Sequence, residues 1–187
     1  MAGVKITDEL KKALQAMPEP EKDKLLLKLV AKDPLLVAKL HHQLLEDEAD
    51  TEAHRAELHQ EIAKISKYDF DTPGWLMMAL RDYSGAIGRH VKVTKDKHGE
   101  VSLTVALVNE AFRGTNPTML KAEQKRADNF ADYVVKKAIF VLTKLKKIHE
   151  DYYLEFEDDV NEMLKQLHNY PPTAKLAKEA GLVKRWE

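Results

Sequence analysis

Residues 89–108 read RHVKVTKDKHGEVSLTVALV, and two folds can be built on them. Val91, Val93, Val101, Leu103, Val105 and Leu107 alternate at period two, with residues 95–99 as the loop of a β-hairpin. Against this, Val101, Val105, Val108 and Phe112 step at four, three and four residues and run on into Asn109-Glu110-Ala111. That is the spacing of one apolar helix face. Two helices meeting at His98-Gly99 agree with the rest of the chain and are the reading taken. The hairpin remains the alternative.

Outward from this stretch the punctuation is that of a helical protein. Asp33-Pro34, Thr72-Pro73 and Asn116-Pro117 each place a capping side chain directly before a proline. The polar side chain accepts from a free N–H of the first turn, and proline at the first helical position gives up a donor that had no partner. Pro171-Pro172-Thr173 ends one helix and offers Thr173 as the cap of the next. New helices are therefore predicted near residues 34, 73, 117 and 173.

Between these starts the apolar residues recur at three and four. The predicted helices are Thr7 to Met17, Glu21 to Lys32, one from Pro34 through Leu45, Thr51 to Lys67, and one from Pro73 with Leu76, Leu80, Tyr83 and Ile87 inward. Ala127, Phe130, Val134, Ala138, Val141, Leu145, Ile148 and Tyr152 form the longest seam, which is predicted to continue, with or without a kink near Glu150, through Phe156, Val160, Met163, Leu164 and Leu167. Gly181 stands where the cap of a short last helix belongs. The fold class is all-α: a multi-helix bundle or a short HEAT-like array of helical hairpins, with eight to nine helices in one domain, 1–187. The array rests on the spacing of the proline starts alone, since no residue-level repeat aligns.

Composition supports this class. The 187 residues contain seven Gly and seven Pro, too few for the many turns of a sandwich or barrel. There is no cysteine, which removes disulfides, thiol catalysis and any Cys-ligated metal. Apolar runs such as Trp75 to Leu80 are far short of the ~20 residues of a membrane span, and Met1-Ala2-Gly3-Val4-Lys5 leads into a charged helical pattern rather than a signal peptide. A soluble, cytoplasmic protein is expected.

With 30 basic and 31 acidic side chains the net charge is −1, yet the charges are segregated. Glu46 to Glu61 holds seven acids and one base, Asn116 to His149 eight bases and three acids, and Glu150 to Glu162 seven acids and no base. In the long helix Lys136, Lys137, Lys144 and Lys147 lie away from the seam and form a candidate strip for an acidic partner or phosphates, weighed against an ordinary solvated face. The strip lacks arginine, and the pI of 6.7 is far from that of a nucleic-acid domain, so nucleic acid is not the expected partner.

Eight histidines invite a search for metal ligands. Asp50, His54, Glu57 and Glu61 step by four, three and four, which puts one imidazole and three carboxylates on one helix face, a stripe able to hold a hard divalent cation. His59 lies on the adjacent azimuth. The simpler reading is a charged surface. His90 and His98 lie beside Arg89, Lys92, Lys95 and Lys97, a basic loop where an anion can dock. Ser66 and Ser84 sit near helix breaks without the flanking glycines of a nucleophile elbow. Trp75, Met77, Met78 and Tyr83 are read as core fillers, or, if exposed, as a protein-binding groove.

These readings converge on a helical scaffold or protein-interaction domain with no cofactor, an unidentified protein partner and homo-oligomerisation open. The alternative is a small helical enzyme or metal-binding protein using the acidic, His-containing face of residues 50–61.

Overall fold

The computed structural model describes residues 4–114 and 124–186. These form nine α-helices and no strand: α1 (Asp8–Ala16), α2 (Glu19–Val30), α3 (Pro34–Leu45), α4 (Glu48–Ile62), α5 (Pro73–Thr94), α6 (Lys97–Arg113), α7 (Gln124–Leu145), α8 (Tyr153–Asn169) and α9 (Pro171–Glu179). Short 3-10 turns at Ile65–Lys67 and Glu150–Tyr152 precede α5 and α8. The chain divides into two compact units, Met1–Leu45 and Glu46–Glu187.

Caps account for most of the starts. Thr72 accepts from Trp75 N–H at 3.4 Å, with Pro73 at the first helical position, and Asp33 accepts from the N–H groups of Leu35 and Leu36 at 3.0 and 3.1 Å. α4 begins earlier than the apolar pattern indicates, because Asp47 and Asp50 exchange reciprocal bonds with each other's backbone N–H in a capping box. The predicted start at 117 lies outside the described residues. Thr173 is not a cap. α9 starts at Pro171, and the buried Thr173 hydroxyl is shared between the carbonyls of Leu167 and Tyr170, at 2.6 and 3.0 Å. That contact ties α9 to the end of α8. Gly181, at φ 67°, closes α9 as expected, with the Leu182 N–H returning to the Ala177 carbonyl.

Residues 89–108 are helical, but the break falls at Lys95-Asp96 rather than His98-Gly99. Lys95 takes a left-handed conformation (φ 64°), and Asp96 then caps α6 by accepting from Gly99 N–H at 2.7 Å. The alternation that imitates a strand has a packing cause. α6 is packed against α4, α5, α7 and α8, so Val101, Leu103, Val105, Leu107 and Val108 are all buried although they point to different sides. A helix enclosed all round has no amphipathic phase to reveal. Each such side chain contributes about 1.5–3 kcal/mol of transfer free energy. α6 is thus the central helix of a multi-helix bundle in the second unit, with α4, α5, α7 and α8 around it.

The long seam is interrupted. α7 ends at Leu145, and His149 opens the 3-10 turn before α8. The charge blocks explain the break: Lys144, Lys146 and Lys147 favour the negative carboxyl end of one helix, and Glu150, Asp151 and Glu155 the positive amino end of the next. Phe130, Val134, Ala138, Val141 and Leu145 from α7 and Phe156, Val160, Met163, Leu164 and Leu167 from α8 complete the core. None of the described helices is long and apolar enough to cross a membrane.

Candidate functional site

The anion at the turn between α5 and α6 is the chain's own Asp96, and the groups that hold it are Arg55, His90 and the Gly99 N–H rather than Arg89, Lys92, Lys95 or Lys97. This nearly buried carboxylate takes the Gly99 N–H, His90 Nε2 at 3.1 Å and Arg55 Nε at 3.3 Å. Burial raises its pKa, but the hydrogen bonds from His90 and Gly99 and the charge of Arg55 outweigh that and leave it below the ordinary carboxylate value. Gly99 leaves room for this carboxylate, because a Cβ there would overlap it and force it to shift. Arg55 Nη1 also meets His98 Nδ1 at 2.6 Å, and His98 Nε2 meets Glu155 at 3.0 Å, with the ring between Phe156 and Tyr152. One polar chain therefore stitches α4, α5, α6 and α8 together. His59, beside it, is held below its ordinary pKa by burial and by Arg55, and its Nε2 lies 3.2 Å from Ser102 Oγ. Sequence reasoning missed Asp96 as the hub, although Asp three residues before Gly99 is a capping signal.

The acidic, His-containing face is dispersed among other tasks. Asp50 serves the capping box, Glu61 pairs with Lys64, and His54 lies 3.8 Å from Glu46. His54, Glu57 and Glu61 do line a groove of about 340 Å³ against α5, but Arg89 shares it. Among the described residues no group of three or more His, Asp or Glu side chains is placed to hold a metal ion.

The lysine strip is likewise divided. Lys144 is half-buried, reaches Glu100 of α6 at 2.7 Å and lies 4.9 Å from the Phe140 ring centroid. Lys137 is half-buried over the rings of Tyr133 and Phe140, and burial lowers its pKa against the opposing charge of Glu100. Lys136 pairs with Asp132 at 2.7 Å in solvent, and Lys147 lies exposed beyond the end of α7. Half the strip is thus turned inward on the fold. Ser84 is bonded to the Tyr133 hydroxyl at 2.6 Å and helps to seat α7 on α5.

Exposed apolar surface is the more informative feature. On α5, Met77 is buried and Tyr83 half-buried, as core fillers should be, but Trp75 and Met78 are 59% and 54% exposed. In the first unit the effect is general. None of the side chains of α1, α2 and α3 is buried, and Leu26, Leu27, Leu29, Leu44 and Leu45 are 54–74% exposed.

Comparison of the chain with protein-family models, with curated proteins and with solved structures finds no match.

Proposed function

We propose that this chain is a protein-interaction module, in which the bundle of residues 46–187 is the folded body and α1–α3 is a docking element for a protein partner. The observation that supports this reading is the leucine surface of α1–α3, which the unit does not enclose. A segment of roughly 40 residues is at the size where a core alone rarely sustains a fold. Contiguous exposed apolar surface marks contact sites, and amphipathic helices meet partners by laying such faces into grooves. The inward use of Lys137 and Lys144 favours a protein partner over nucleic acid.

Hydrogen exchange of the full chain tests the premise. Amides of α1–α3 should exchange orders of magnitude faster than those of α6, and a captured partner should slow them. Changing Leu26, Leu27, Leu44 and Leu45 to Gln should abolish that capture while the bundle keeps its protection. Protection of α1–α3 equal to that of α6 in the isolated chain would refute the proposal.

A further inference from the structure

α5 carries a second face that the core does not use. Trp75, Met78 and Asp82 recur along it at three and four residues, and Asp69, Phe70 and Asp71 approach it from the segment before the helix. Together they line a concavity of about 380 Å³. Phe70 is anchored against the core, so one wall is fixed, while Met78 can adapt its shape. The volume stands at the low end of small-ligand pockets, about 300–1,000 Å³, and suits side chains rather than a large cofactor.

Charge decides what such a groove accepts. Asp69, Asp71 and Asp82 make no ion pair or side-chain hydrogen bond with other described residues. The amino end of α5 offsets only about half a unit charge, and the lining itself holds three carboxylates and no base. An occupant must satisfy carboxylates and an exposed indole together. Guanidinium does both, because its planar fork pairs with carboxylates two bonds at a time and its weakly hydrated face stacks on tryptophan. A lysine ammonium would meet the charge but resist leaving its water.

We infer that the α5 groove docks an arginine-bearing segment of a partner protein, the guanidinium lying on Trp75 between the aspartates and an apolar neighbour resting on Met78 and Phe70. The residues involved are separate from α1–α3, so this inference stands or falls apart from the proposal above.

The test is a titration of the isotope-labelled full chain with a capped Leu-Arg-Leu-Arg peptide, followed by NMR. A Trp186→Phe variant assigns the two indole signals. Saturable shifts should be confined to the Trp75 indole and the amides of residues 69–82, and affinity should fall as salt rises. Replacing arginine by citrulline, which keeps the shape without the charge, should weaken binding about tenfold or more. Trp75→Ala and Asp82→Asn should each weaken it about fivefold with the melting temperature unchanged, since both side chains face solvent. Equal binding of the citrulline or lysine peptide, absence of saturable shifts at Trp75, or indifference to both substitutions would overturn the inference. So would sedimentation showing a dimer that Asp82→Asn dissociates, which would assign the groove to a second copy of the chain.

Discussion

Asn161 binds the backbone of Trp186 in both directions. Its Oδ1 accepts from the Trp186 N–H at 2.8 Å, and its Nδ2 donates to the Trp186 carbonyl at 3.2 Å. The Trp186 ring then packs edge-on against Tyr153, 5.1 Å between centroids. One amide on α8 thereby holds the C-terminal segment on the bundle. Asn161→Asp keeps the acceptor but places a charge against the carbonyl, and should cost about 1–3 kcal/mol. Asn161→Ala should free the segment, seen as a red shift of Trp186 emission in a Trp75→Phe background. Unchanged emission would show that the ring contact alone suffices.

Asp96 should be the most sensitive polar residue. Asp96→Asn removes the charge facing Arg55 and His90 and should cost about 1–3 kcal/mol by denaturant titration. Gly99→Ala should cost as much by a different route, since the new methyl displaces the same carboxylate. If each single variant already breaks the cluster, the double variant should be less destabilised than the sum.

Acid should act in two stages. The His59 pKa lies below its ordinary 6.5 in the fold, so its contribution is complete above that value and is lost as pH falls toward the depressed one. Asp96, held below its ordinary 3.8, contributes fully above that value and loses its share as pH falls through the lowered one. His59→Gln should flatten the first decline in stability and Asp96→Asn the second. A wild-type profile level from about pH 7 down to the carboxylate range would contradict the His59 assignment.

Leu145 is fully buried where α7 ends. Leu145→Ala should destabilise by about 2–5 kcal/mol. A loss under about half a kcal/mol would mean that this end of the core repacks around the gap.

The four lysines should separate. Lys144→Gln breaks the tie to Glu100 on α6 and should cost about 0.5–1 kcal/mol, or a few degrees in melting temperature. Lys136→Gln and Lys147→Gln should stay within about 0.5 kcal/mol. Equal effects at all four positions would return the strip to a uniform surface.

What the sequence reveals follows the physics of each signal. Caps and prolines act over three or four residues, so Thr72-Pro73 and Gly181 announce themselves, and so does the class of the fold. The phase of α6 is hidden because every side of it is buried, and its apolar residues alternate only because valine and leucine serve all sides equally well. The end of α7 was legible in another code, as lysines running into acids, which apolar periodicity alone overrides. For the surface features the limit is different. Trp75 and Met78 have the spacing of core residues, and only the direction in which α5 is rolled shows that they face out. Asp96 gathers Arg55 from α4 and His90 from α5, a convergence that no local spacing encodes.

The enclosure of α6 also fixes the size of the bundle. A stack of hairpins lengthens or shortens by whole repeats, because each added pair offers its successor the same surface. Helices wrapped around a central one leave no such surface: deleting α4, α5, α7 or α8 opens α6 to water, and an inserted pair has no seat beside it. Additions to this architecture are therefore confined to its ends and its connecting segments: among the described helices, α1–α3 precede the bundle in the chain and α9 is seated on α7 and α8 at the carboxyl end.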